Sequence, residues 1–465
     1  TLDFPPGFVW GTATSSYQIE GSPSADGKGP SIWDTFTRRP GAIEDATSGD
    51  VACDHYRLWQ SDVDLMAELG LGAYRFSVSW PRVLPNGDGA ANAAGLDFYD
   101  RLVDRLLERG IEPWVTLYHW DLPDALQDRG GWPARATARA FATYAGIVAD
   151  RLGDRVGRWI TINEPWVVAK RGHFHGDKAP GHHSGEEAVL ASHHLLLGHG
   201  LAVRAIREVA PAAQIGITLN LTPTVPASTD AADIEAARRF DGDANRWFLD
   251  PVFGRGYPDD VLRDYADAGW LDHGVSLESP SDHDVIAARH DFLGVNYYER
   301  TIIRDQGDGT PAKVVPANAD LTDMGWEVYP RGLTDLLTDL SRRYQPESIV
   351  ITENGCSFGD APSDDGRVHD QQRISFLRGH LLAAHEAVRA GVPLDGYFAW
   401  SFLDNFEWER GWTQRFGLFG LNPETQVRTR RRSADLFSEI CRENAVSSAI
   451  VRKYAPQIFD QMFPG

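Results

Sequence analysis

Cysteine is scarce. Cys53, Cys356 and Cys441 are the three in 465 residues, far apart and without CxxC spacing. They supply neither a disulfide framework nor a zinc knuckle, and they suit a reducing compartment. Positive charge is also short. Lys+Arg is 45 against Asp+Glu 66, a net charge of −21. That balance excludes the basic stripe a nucleic-acid surface needs and weakly disfavours anionic substrates. Only five of the basic residues are lysines, to which no function attaches on sequence grounds. No apolar run approaches the roughly 18 residues of a membrane span, so no membrane partner is expected. The stretch Thr1–Gly7 has no basic region followed by an apolar core, so a cytoplasmic location is the expectation. No linker, internal repeat or low-complexity tract interrupts the chain, and residues 1–465 read as one domain.

Aromatic residues are plentiful, with 15 Trp, 14 Tyr and 21 Phe. Many stand beside polar residues. A flat indole in that setting covers the C–H patches of a pyranose, although tryptophan also serves simply as core.

Eight short runs rich in Val, Ile, Thr and aromatics read as buried parallel strands: Phe8–Thr14, Ala73–Trp80, Glu112–His119, Arg158–Glu164, Gln214–Asn220, Phe292–Tyr298, Ser348–Glu353 and Leu394–Ser401. Amphipathic patterns between them predict helices over Asp54–Leu69, Gly95–Arg109, Ala134–Leu152, Glu186–Val209, Arg331–Tyr344 and Asp370–Ala390. This alternation fits a (β/α)8 barrel better than an open doubly wound sheet, and no glycine-rich dinucleotide fingerprint follows any strand. Three long connections, Thr35–Cys53, Leu221–Asp291 and Ser357–His369, read as loop-rich insertions above the barrel.

Polar groups gather at the strand ends, where a barrel builds its active site. Gln18 follows the first strand, and Arg75 lies in the second. His119-Trp120 ends the third, Asn163-Glu164-Pro165 the fourth, Asn220 the fifth and Asn296-Tyr297-Tyr298 the sixth. Glu353-Asn354-Gly355 ends the seventh and Trp400-Ser401 the eighth. Cleaving a glycosidic bond needs an acid for the leaving oxygen and a carboxylate on the other face of the sugar. Glu164 and Glu353, each followed by a strand-stopping residue, are the candidates. A single glutamate is most often a solvated surface group, but two at buried strand ends are not easily read that way. Arg75 is expected to keep Glu353 ionised, and Glu164 to sit beside that charge with a raised pKa. Asn163, Gln18, His119 and Glu407 offer hydrogen bonds to hydroxyls, and Trp400 offers a stacking surface.

These motifs resemble glycoside hydrolase family 1. The resemblance runs from Phe4-Pro5-Pro6-Gly7-Phe8 and Tyr17-Gln18-Ile19-Glu20-Gly21 through Tyr74-Arg75-Phe76-Ser77 and Leu117-Tyr118-His119-Trp120. It continues in Thr161-Ile162-Asn163-Glu164-Pro165, Asn296-Tyr297-Tyr298, Ile351-Thr352-Glu353-Asn354-Gly355 and Trp400-Ser401-Phe402-Leu403-Asp404-Asn405-Phe406-Glu407-Trp408. It implies a retaining, exo-acting β-glycosidase on a (β/α)8 barrel, working without a cofactor or metal on small β-glucosides and short oligosaccharides. Glu164 then matches the acid/base and Glu353 the nucleophile. Arg75 and Tyr298, with Asn296, match the nucleophile's supports. Gln18, His119, Trp120, Asn163, Trp400, Glu407, Trp408 and Phe416 match the sugar-binding set, and Trp166, Asn220 and Trp326 match the aglycone side. A glutamic acid at 164 departs from plant thioglucosidases, which carry Gln there, and no phosphate pocket like that of 6-phospho-glycosidases is visible. Cys356 stands where the family commonly has a small residue.

Two other readings compete. His173, His175, His182, His183, His193, His194 and His199 are clustered enough in sequence to raise a metal site, yet HExxH is absent. A sugar-binding barrel without catalysis would keep the aromatics and lose a carboxylate, whereas both are retained here.

Overall fold

The structure, a computed structural model, describes residues 1–271, 277, 280–360 and 368–456. Eight parallel strands close into a barrel. They are β1 (Val9–Ala13), β2 (Ala73–Ser77), β3 (Glu112–Tyr118), β4 (Arg158–Asn163), β5 (Gln214–Asn220), β6 (Phe292–Asn296), β7 (Ile349–Asn354) and β8 (Leu394–Trp400). All eight expected runs supply a barrel strand. Each strand is buried on both faces, which is why the runs are apolar without strict alternation.

The barrel interior is packed. Trp114, Ile160, Phe292, Val350 and Phe398 fill its lower part with Ala13 and Ala73. The Trp114 ring lies 5.4 Å from Phe292 and 5.0 Å from Phe398. Such large rings fit because the neighbouring strands give way. A Cβ on Gly11 would fall 2.5 Å from Phe398, and one on Gly216 would fall 2.6 Å from Phe292.

Outside the barrel, helices cover the strands with their apolar stripes. Ala93–Glu108 buries Leu96, Phe98, Tyr99, Leu102, Val103 and Leu106, the spacing of one helical face. His55–Leu69 buries Val63, Met66 and Leu69 as its sequence predicts, and it stops at the left-handed Gly70. Helix Gly185–Val209 corrects the expectation that nothing is apolar enough to span a membrane. Its best window reaches a mean hydropathy of 1.2 over a 25-residue helix, but 78% of that window is buried inside the protein. It packs against Arg135–Leu152 as a core helix.

The connection Leu221–Asp291 is not loop-rich. It carries helices Ala231–Asp241, Trp247–Val252, Asp259–Asp267 and Pro280–Ile286, and a π-helical turn at Gly242–Arg246. The Ala-, Glu- and Arg-rich composition of the first favours helix, a signal masked by short lengths and by proline punctuation. A three-stranded sheet of Thr224–Pro226, Thr301–Asp305 and Pro311–Val314 joins this helix above the barrel. Of the connection Ser357–His369, residues 361–367 lie outside the described residues.

Two strands contain an extra residue near their C-terminal ends. The β4 register slips against β5 between Ile160 and Asn163. The β7 register slips against β6 between Ile351 and Glu353, so that Glu353 pairs with Asn296. Such bulges re-aim side chains where they occur.

Candidate active site

Above the packed layers, the strand ends enclose a cavity of about 390 Å³. Glu164 and Glu353 both line it and both are buried. Arg75 is fully buried beneath them. Its guanidinium donates to Thr116 Oγ1 at 3.1 Å, the Thr352 carbonyl at 3.0 Å, Glu353 Oε1 at 2.8 Å and Asn163 Oδ1 at 2.7 Å. Tyr298 Oη donates to the other Glu353 oxygen at 2.7 Å. Each carboxylate oxygen therefore has its own donor, which fixes the plane of the group. The end of β7 is pinned further, because Asn354 Nδ2 donates to the Tyr297 carbonyl at 2.7 Å and Asn354 Oδ1 accepts from Tyr397 Oη at 2.6 Å.

Asn296, expected on the Glu353 side, donates to Glu164 Oε1 at 2.7 Å and to Asn163 Oδ1 at 3.1 Å. Thr352 Oγ1 holds its carbonyl at 2.7 Å. The same amide also lowers the Glu353 carboxyl. Asn163 Nδ2 donates to His119 Nε2 at 3.1 Å, which places the histidine proton on Nδ1.

The two carboxyls are set differently. Burial raises Glu164, the Glu353 charge raises it further, and the result is about 8, against the opposing pull of Asn296, Arg75 and Lys178. Burial also raises Glu353, but Arg75, Tyr298 and Asn296 all hold it down. Arg75 thus opposes the burial of Glu353 without fully cancelling it. Glu407 rises to about 8, mainly by burial and against Lys178. His119 is driven well below its ordinary value by burial and by Arg75, so it stays neutral.

Three cavity residues occupy the left-handed region without being glycine: Trp120 at φ 81°, Glu164 at φ 51° and Trp408 at φ 50°. Backbone of this kind persists only where its surroundings over-determine it. Trp408 shows how, since its ring packs 4.5 Å from both Trp120 and Trp33 and stacks 6.0 Å from Tyr17. Trp120 Nε1 is tied to the Asn163 carbonyl at 3.0 Å.

The expected residues fall into two layers. His119, Trp120, Trp400, Glu407, Trp408 and Phe416 line the cavity, as do Trp166, Asn220, Trp326 and Tyr298. Gln18 and Asn163 stand behind the wall with no exposed surface. Gln18 Nε2 donates to Asn405 Oδ1 and the Phe406 carbonyl at 3.0 Å each and to Glu407 Oε2 at 3.3 Å, while its oxygen accepts from Ser15. The tryptophans divide between roles. Trp120, Trp166, Trp326, Trp400 and Trp408 face the cavity, whereas Trp33, Trp80, Trp114, Trp132, Trp159 and Trp247 are fully buried core.

Several lining residues escaped the sequence reading. Lys178 and Glu409 form an ion pair at the wall, with Arg171 on the other Glu409 oxygen at 3.3 Å. Lys313 pairs with Glu299 across another part of the cavity. The scarcity of lysine was the available signal, because two of only five lysines line this cavity. Phe240 and Ala244 come from the Leu221–Asp291 insertion and Met324 from the connection after β6, and none carries a motif.

The histidines disperse to separate partners. His173 bonds the Val168 carbonyl, His182 bonds Glu187, His193 bonds Tyr257 and Asp282, His194 bonds the Trp132 carbonyl and His199 bonds Thr161. Among the described residues, no three His, Cys, Asp or Glu side chains gather as a metal would require. The cysteines are unpaired. Cys356 is buried against Phe358 and Phe376, and burial pushes its thiol up to about 12, so it packs as a small apolar group.

The profile of glycosyl hydrolase family 1 matches residues 1–446. A protein named β-glucosidase A from Thermotoga maritima is 46% identical over 450 residues, covering 95% of this chain and 98% of that protein. Another of that name, from Acetivibrio thermocellus, is 45% identical over 448 residues, covering 95% and 99%. A solved structure of the Thermotoga maritima β-glucosidase in complex with glucoimidazole superposes with a TM-score of 0.93 at 45% identity, over 96% of this chain and all of that one.

Proposed function

The chain belongs to glycosyl hydrolase family 1, and from that premise we propose that it is a retaining, exo-acting β-glucosidase. Its substrates are terminal β-D-glucosyl residues of cellobiose, short oligosaccharides and aryl or alkyl β-glucosides. The observation that carries this reading is the differently set pair Glu164 and Glu353, the first bonded by Asn296 and the second held by Arg75 and Tyr298. Asn296, the register partner of Glu353, bonds Glu164 directly, and this supports the closer spacing of about 5–5.5 Å that retention uses, over the roughly 6.5–9.5 Å of inversion.

Glu164, with a pKa of about 8, holds its proton at neutral pH and gives it to the departing oxygen. Glu353, oriented by Arg75 and Tyr298, attacks the anomeric carbon as the C–O bond breaks. Forming the glycosyl ester removes the Glu353 charge, which is a principal cause of the raised Glu164 value. The Glu164 pKa then falls, and the same carboxylate takes a proton from the incoming water. An alcohol or second sugar in place of water gives transglycosylation by the same step. His119 Nδ1, Glu407 and the indoles of Trp120, Trp400 and Trp408 supply the polar and apolar contacts of a sugar site. Asn163 and Gln18 position these groups from behind.

Incubation with an activated 2-deoxy-2-fluoro-β-glucoside tests the reading. The fluorine slows both steps, and the good leaving group lets the ester accumulate. One added sugar on the peptide carrying Glu353, found by peptide mass spectrometry, supports it. Turnover of β-glucosides without any label refutes the covalent route.

A further inference from the structure

Trp166 forms part of the cavity wall beside Val167, Leu221 and Ala244. Its indole is tethered, since Nε1 donates to Asp243 Oδ2 at 3.3 Å. Asp243 sits in the π-helical turn Gly242–Arg246 of the insertion between β5 and β6. The other Asp243 oxygen lies 2.6 Å from Lys170 Nζ and accepts from Tyr265 Oη at 2.6 Å. Lys170 belongs to a second π-helical stretch, Val167–His175, which begins at the residue after Trp166. Its ammonium is buried, donates to Tyr265 Oη at 2.6 Å and sits 4.2 Å over the Tyr265 ring and 4.9 Å over that of Trp270.

Two π-helical segments, a rare form concentrated at functional sites, are therefore clasped by one ion pair, and a cavity tryptophan hangs from the clasp. An ion pair with a buried lysine and a half-buried aspartate is a poor source of stability, because apolar residues of similar volume often serve the fold as well. What it does provide is a fixed acceptor for the indole.

We propose that Lys170 and Asp243 are positioning residues that hold the Trp166 indole in place and so shape the part of the cavity that receives the leaving group. This rests on the glucosidase reading. Without the acceptor, the indole swings away from the wall. A leaving group with a ring then loses an aromatic contact, and one without a ring loses nothing.

Benzyl and methyl β-glucosides make the comparison, since their alcohols leave with similar ease and differ in the ring. In Lys170→Met/Asp243→Leu both charges go and no acceptor remains. The benzyl-to-methyl ratio of kcat/KM is expected to fall about threefold to tenfold, mostly through KM for the benzyl compound. In Lys170→Met/Asp243→Asn the amide oxygen still accepts from the indole, and the ratio is expected to return to that of the unaltered chain. If the leucine pair does not fold, Lys170→Met/Asp243→Ala takes its place. An unchanged ratio in the pair lacking an acceptor overturns the proposal. A crystal structure of that pair gives a reading independent of turnover: an indole rotated from its place supports the anchor, and one that stays put refutes it. If the unaltered chain cleaves neither glucoside, the glucosidase reading fails, and the crystal structure still decides the anchor.

Discussion

Asn296 is the register partner of Glu353, yet its amide donates to Glu164 Oε1 at 2.7 Å. The strand beside Glu353 thus reaches across to Glu164. This contact opposes the burial that raises Glu164.

Asn296→Ala removes that contact. The Glu164 pKa is then expected to rise above its present value of about 8, because a group that lowers it is gone. The alkaline limb of kcat/KM against pH should move upward. Hydrogen bonds to charged groups contribute about 1.5–3 kcal/mol, so kcat/KM at neutral pH should fall by roughly one to two decades. A pH–rate series on both proteins checks the direction, and an alkaline limb that stays or moves down contradicts the assignment.

Glu353→Gln should lower turnover by several orders of magnitude, since the covalent route disappears. It should also lower the Glu164 pKa from about 8, because the Glu353 charge is a main cause of that value. Carboxyl titration by NMR on the variant reads this second effect without any need for turnover.

Glu164→Gln should discriminate among leaving groups. Alkyl glucosides need the proton, and their kcat/KM should fall by about 10²–10⁴. Activated aryl glucosides leave unaided and should lose far less in the step that breaks the glycosidic bond. Equal losses for both classes would remove Glu164 from the role of acid.

Buried Glu407 offers a prediction about stability. Its carboxyl is raised from an ordinary 4.5 to about 8, so between those values the folded chain binds more protons than the unfolded one. The associated stability is complete below about pH 4.5 and is lost as pH rises toward 8, by up to about 1.4 kcal/mol per pH unit. Glu407→Gln should flatten the decline of Tm over that window. Thermal melts of the two proteins from pH 5 to 8 compare the slopes, and identical slopes count against the shift.

Much of this was legible before any coordinates. The eight strand runs are β-branched and aromatic on both faces, which only a strand buried on two sides requires, and most stop at a polar residue. Glu164 and Glu353 were visible because a carboxylate at such an end has no structural reason to be there. The direction of Asn296 was not visible, since one residue at a strand end can face either neighbour and the bulges decide which. Gln18 and Asn163 read as sugar contacts, but that their side chains have no exposed surface was not visible, because sequence marks polarity and not depth. Lys178 and Glu409 come from separate loops more than two hundred residues apart, and no local pattern announces their pairing. The Leu221–Asp291 connection hid its helices in pieces of only six to eleven residues, too short for periodicity to declare itself.

The extra residues in β4 and β7 make the site a matter of chain length as well as chemistry. A strand alternates sides at every residue, so losing one position between Ile351 and Glu353 would turn the carboxyl outward, toward the helices, with every side chain type unchanged. The same holds between Ile160 and Asn163 on β4. Substitutions along these strands can be graded and partial, whereas a one-codon deletion or insertion at either bulge acts as a switch. Residue count along β4 and β7 therefore governs the site alongside residue type.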